Sequence, residues 1–236
     1  MARQLRPSLA WAGRTLVCRR LRWPSACRMI FGRLKTIDPF EDLVDDPRDR
    51  AILMQVEGET NERLRLQAGG TRLAASLDLD PKGGLINAPL AHARAIRGRF
   101  AGAGGHVGYF ADGFDTALAE VVHHQGRRAR ANRDLAHPIT MRVLSFLDFD
   151  AQILDLRGLR EDLADIHDPD DYGPSVALAN AARAALDPDG IAYDSVRRHD
   201  GQNLALFRRR YTAYRDAGFV QLDWDGERIR GTARLS

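Results

Sequence analysis

The stretch RFAGAGGHVGYFADGFDTALAEVVHH, residues 99–124, concentrates side chains that could do chemistry. Among its 26 residues are a guanidinium (Arg99), a phenol (Tyr109), a carboxylate (Glu120) and a pair of adjacent imidazoles (His123, His124). Metal binding is the first chemistry to test. Adjacent histidines on a helix point about 100° apart and cannot share an ion as an i, i+4 pair would. No metal is expected, and a helix C-terminus that favours cationic side chains accounts for the pair. The glycines of GAGGHVG (102–108) suggest a phosphate loop. A dinucleotide fingerprint needs a helix after the glycines, and here a strand pattern follows, so a flexible turn is the better reading.

Glu120 lies off the centre of the apolar stripe Phe114, Ala117, Leu118, Val121 and Val122, which by itself reads as a solvated surface glutamate. Ser195 is more informative. In GIAYDSV (190–196) Ile191, Tyr193 and Ser195 share one strand face. A hydroxyl there is a small core filler bonded to backbone, or a group that holds another polar side chain in place.

The elements that must position these residues alternate without a regular βαβ rhythm. Strands are expected at 27–33, 106–111, 139–149, 190–196 and 203–209, with a hairpin over 220–230 around Asp225-Gly226. Helices are expected at 45–58, 61–70, 115–124 with Asp115 as N-cap, and 174–186 with Pro174 in the first turn. Residues 71–98 read as mixed. The pattern fits an α+β fold.

The chain has 236 residues, 44% of them hydrophobic, enough for one large domain with a real core. No segment approaches the roughly 18 apolar residues of a membrane helix. Residues 1–26 carry six arginines and no acid, which leaves 27–236 at −3 against a chain total of +3. A mildly acidic body argues against a phosphate-backbone groove. The basic stretch reads as a disordered extension or an over-long start, and the domain as 27–236. Cys18 and Cys27 do not make a disulfide framework, and a reducing cytoplasm is the simplest compartment.

Taken together, four segments resemble the RES domain family, named for its Arg, Glu and Ser. CRMIFGRLKTIDPFEDLVDDPRD is similar to the family's opening strand and turn, and implies a ligand-binding arginine at Arg28. RGRF gives Arg99, VGYFADGFDTALAEVVHH gives Tyr109 and Glu120, and DGIAYDSVRRHDGQNLALF gives Ser195 and Asn203. The resemblance runs from about residue 27 to about residue 230, departs around 92–105, and leaves 1–26 without a counterpart. It implies a single compact ADP-ribosyltransferase-like domain, with two small sheets flanking a cleft and short helices. It also implies a bacterial toxin that consumes NAD+ by transferring ADP-ribose to inorganic phosphate with release of nicotinamide.

Physical chemistry accommodates these residue types. Arg28 and Arg99 suit a diphosphate through charge-assisted contacts. Breaking the ribose–nicotinamide bond builds oxocarbenium-like charge that a carboxylate at Glu120 stabilises. Tyr109 can stack on the cationic nicotinamide ring. Ser195 fits an orienting role, because His199 is too near in sequence for a triad. Nicotinamide leaves neutral, so no general acid is required. NAD+ and phosphate are substrates; no cofactor or metal is expected. The implied partner is an Xre-type helix-turn-helix antitoxin, with a homodimer inside the complex, no nucleic acid and no membrane. ADP-ribosylation of a protein and NAD+ hydrolysis share the first step and remain alternatives, as does a non-catalytic binding module.

Overall fold

A computed structural model describes residues 7–32, 72–80, 85–91 and 98–235, with positions 46, 48, 49, 52, 53 and 56 between them. The elements bounded among the described residues are, in order, β1 (Ser8–Trp11), β2 (Arg14–Phe31), α1 (Arg72–Ser76), α2 (Ala88–Ala91), β3 (Gly108–Ala111), α3 (Phe114–Asn132), β4 (His137–Asp155), α4 (Gly173–Leu186), β5 (Gly190–Asp194), β6 (Gln202–Leu206), β7 (Ala213–Trp224) and β8 (Ile229–Leu235). The positions described between 48 and 56 are helical, as expected for 45–58; the helix expected at 61–70 lies outside the described residues.

Residues 8–11 and 14–26 of the basic N-terminal segment are strand, which corrects the expectation of disorder there. β1 and β2 form a hairpin through Ala12 and Gly13, both at positive φ, as a tight two-residue turn requires. β2 then pairs with β4 from Cys18↔Leu154 to Phe31↔Met141. Leu16, Cys18, Leu21 and Ala26 are buried. The acids missing from this segment come from elsewhere. Arg20 makes two bonds to Asp150 at 2.6 and 2.5 Å, Arg19 lies 3.9 Å from Asp155, and Arg14 lies 2.6 Å from Asp162. Local composition misled because the neutralising charges are more than 100 residues away.

β4 organises the sheet. Its first half pairs with β7, which carries β8; its last residues pair in parallel with β5. β5 continues through β6 to β3, and β3 returns to β2 at Cys27↔Ala111. The pairings therefore close a ring β2–β3–β6–β5–β4, with β7 and β8 attached outside. The α+β domain is as expected, and its two expected sheets are one eight-stranded sheet joined through β2 and β4. The β2–β4 ladder is interrupted between Trp23↔Phe149 and Ser25↔Leu147, at Pro24, which cannot donate a ladder bond, and at Asp148, at φ 56°.

The aromatic core packs Phe110 against Phe146, Phe149 and Tyr211 at centroid distances of 5.1–5.2 Å. Tyr211 is 2% exposed, and its hydroxyl donates to Ile86 O at 2.7 Å, so the buried phenol is satisfied. α3 covers another part of the sheet, among Cys27, Met29, Met141, Val220 and Trp224. It is longer than expected and its N-cap is Gly113, in extended conformation, with Asp115 in the first turn. Among the described residues no helix is long and apolar enough to cross a membrane.

Candidate active site

A cavity of about 340 Å³ opens between α3, the β2–β3–β6 region and the loop before α4. Small-molecule sites typically span about 300–1,000 Å³. Arg28, Arg99, Tyr109, Glu120 and Asn203 all line it. Ser195 stands behind this lining and bonds to Glu120.

Glu120 reaches the cavity because it borders the buried stripe rather than opposing it. Ala117, Val121, His124 and Arg128 share its side of the helix at i, i+3 and i+4 spacing and also line the cavity. The carboxylate is held from the sheet side. Ser195 Oγ donates to Glu120 Oε1 at 2.8 Å, and Asn203 Nδ2 donates to the same oxygen at 2.9 Å. Oε2 lies 3.9 Å from His124 Nε2.

Ser195 is itself fixed. It is 1% exposed, and its Oγ accepts the backbone N–H groups of Arg197 and Arg198, each at 3.2 Å. Both lone pairs and the single O–H are thereby used. An oxygen so occupied orients its neighbour and makes a poor nucleophile. The turn that carries it closes through Ser195 N–H to Gly201 O at 2.8 Å. Gly201 packs against Thr116 on α3, where an added Cβ would lie 2.7 Å from the hydroxyl oxygen. The missing side chain lets the turn approach the helix closely enough for Ser195 to reach Glu120. Asn203 sits on β6, paired with Tyr193 of β5 and Ala111 of β3.

The arginines are tethered. Arg28 Nη1 donates to Tyr109 O at 2.8 Å. Arg99 is 7% exposed; its Nη1 donates to Ile166 O and its Nη2 to Asp168 O at 2.7 Å, with the guanidinium 5.1 Å from the Tyr172 ring. Carbonyl partners keep the charge while fixing its position. Tyr109 OH donates to Arg99 O, so the three sequence-predicted residues Arg28, Arg99 and Tyr109 form one hydrogen-bonded unit.

Several lining residues escaped sequence reasoning. Tyr172 and Arg197 lie on loops, without periodicity to flag them. Arg128 could have been found by continuing from Glu120 in steps of four; His124 was weighed only as a metal ligand, and Tyr193 was noted only as a neighbour of Ser195 on its strand. Burial lowers the His123 imidazole below its usual value, with the Arg197 charge acting in the same direction, and its Nε2 is buried without a hydrogen-bond partner. Among the described residues no group of His, Cys, Asp or Glu could hold a metal ion.

The RES domain family model matches residues 74–225, most of the chain and all of α3 through β7. The chain belongs to the RES domain family. No curated protein matches it. A solved structure of the M. tuberculosis MbcT–MbcA toxin–antitoxin complex contains a similar chain, 20% identical, covering 61% of this chain and 74% of that chain with a TM-score of 0.37.

Proposed function

We propose that this cavity binds NAD+ and breaks its ribose–nicotinamide bond, passing ADP-ribose to inorganic phosphate. The observation that carries the reading is the Glu120 carboxylate, held by Ser195 and Asn203 in a cavity that four arginines also line. An anionic diphosphate suits the guanidinium of Arg28 and that of Arg99. A fixed carboxylate suits positive charge developing on the ribose, where a preorganised partner is worth most. The Tyr109 ring supplies a face for the cationic nicotinamide. Ser195 and Asn203 act through Glu120. Neutral nicotinamide departs with the bonding pair, so no general acid, metal or cofactor enters the step.

The family resemblance extends the proposal to a cytoplasmic toxin restrained by an Xre-type antitoxin, assembled as a homodimer in the complex. The test is incubation of purified protein with NAD+, with and without phosphate, and identification of products by mass. Nicotinamide together with ADP-ribose 1-phosphate supports the reading, ADP-ribose alone indicates hydrolysis, and unconsumed NAD+ sinks it. Growth arrest on expression, relieved by a neighbouring gene product that binds the chain, tests the toxin part.

A further inference from the structure

Of the four arginines that line the cavity, three are tied to backbone carbonyls: Arg28 to Tyr109, Arg99 to Ile166 and Asp168, and Arg197 to Pro169 at 2.8 Å. Arg128 differs. Among the described residues it has no hydrogen-bond or ion-pair partner; its guanidinium lies 4.6 Å from the centre of the Phe31 ring. It is exposed at the mouth of the cavity, two turns along α3 from Glu120. His124 stands between them. Glu120, His124 and Arg128 thus form one i, i+4, i+8 row, in which neighbours lie about 5–6 Å apart at Cβ. Carboxylate, imidazole and guanidinium follow in order from interior to mouth. The cations assigned to the diphosphate, Arg28 and Arg99, come from β2 and from the chain before β3 and leave this row unassigned.

We infer that Arg128 and His124 form an acceptor subsite for an oxyanion, inorganic phosphate, next to the ribose carbon that Glu120 faces. This inference rests on the NAD+ reading above. The step balances without a proton relay. An oxygen of hydrogen phosphate dianion forms the bond to ribose C1, and the bond from C1 to nicotinamide breaks with its electron pair leaving on nicotinamide. The phosphate's own proton stays on the product until solvent takes it. Water in the same place must lose a proton during attack, so a bound phosphate needs less help from the protein. Arg128 contributes a planar pair of N–H donors that matches two phosphate oxygens. His124 contributes a ring N–H to the same anion. The Phe31 ring keeps the guanidinium at the mouth before phosphate arrives.

The test is a titration of phosphate at fixed NAD+, following nicotinamide release and product mass, for wild type, Arg128→Ala, Arg128→Lys, His124→Ala and, as a control outside the cavity, Arg127→Ala. Arg128→Ala is expected to raise the phosphate concentration for half-maximal rate roughly 10–100-fold, the effect of losing a charge-assisted contact. Its products should shift toward ADP-ribose. His124→Ala should shift in the same direction, Arg128→Lys should recover part of the loss, and Arg127→Ala should follow wild type. Unchanged phosphate dependence in Arg128→Ala overturns the subsite. A wild type that consumes NAD+ but makes only ADP-ribose at every phosphate concentration also overturns it and leaves the NAD+ site standing. A wild type that never consumes NAD+ removes the site reading itself.

Discussion

Ser195 and Glu120 are 75 residues apart in the chain, and the serine hydroxyl donates to the glutamate at 2.8 Å. That bond joins the turn after β5 to the middle of α3, and it places the carboxylate toward the cavity.

Glu120→Gln should abolish NAD+ consumption, lowering the rate about 10²–10³-fold, the usual effect of removing one preorganised electrostatic partner. Gln keeps the size and can still accept from Ser195 and Asn203, so the melting temperature should hold within a few degrees. Near wild-type turnover would contradict the role given to the carboxylate.

Ser195→Ala should lose both activity and stability. The change removes a donor to Glu120 and leaves the N–H groups of Arg197 and Arg198 without their acceptor. Leaving a buried donor unsatisfied costs about 1–3 kcal/mol. A fall of several degrees in melting temperature, alongside slower nicotinamide release, is the expected pair of results. Loss of activity with no change in melting would mean that the turn is held by other bonds.

Gly201→Ala should slow the reaction without touching any cavity residue. The added methyl meets Thr116 and must push the turn from α3 or rotate the threonine. Thr116→Ser, which removes one methyl from the same contact, should recover part of the activity in the double variant. Kinetics on the single and double variants decide this.

Deleting residues 1–26 should prevent folding, because it removes β1 and most of β2, including the buried Leu16, Cys18 and Leu21. A gentler probe is Leu21→Ala, expected to cost about 2–5 kcal/mol. Circular dichroism and solubility of the two variants test this. A soluble, folded chain starting at residue 27 would show that the β2–β4 pairing over 18–23 is dispensable.

Burial pushes the Cys27 thiol up from 9.0 to about 11 and raises that of Cys18. Both should resist alkylation at pH 8 in the native protein and react after denaturation. For Cys27, the folded value exceeds the unfolded one. Its contribution to stability is therefore complete below about pH 9 and is lost as pH rises toward 11. Burial raises the Tyr211 phenol in the same direction. Denaturant midpoints between pH 8 and 11 should fall with pH; a flat profile would contradict the burial of these groups.

The sequence by itself determined the element types from residue 106 onward and the residue types of the site. The strand at 106–111, the helix over 174–186 and the hairpin at Asp225-Gly226 follow from local periodicity and turn chemistry, which need no distant partner. The motifs around Arg28, Arg99, Tyr109, Glu120, Ser195 and Asn203 were readable as a family pattern. The strand nature of residues 8–26 was not, because its arginines are neutralised by Asp150, Asp155 and Asp162 and its apolar face is covered by β4, both remote in the chain. Glu120 read as a surface residue for the same reason. On an isolated helix it lies off the apolar stripe, and only the sheet brings Ser195 and Asn203 to its carboxylate. Joining the two halves of the sheet through β4, and placing Arg128 at the cavity mouth, were likewise decided by tertiary structure. Both depend on which strand lies beside which, and hydrophobic periodicity carries no information about that partner choice.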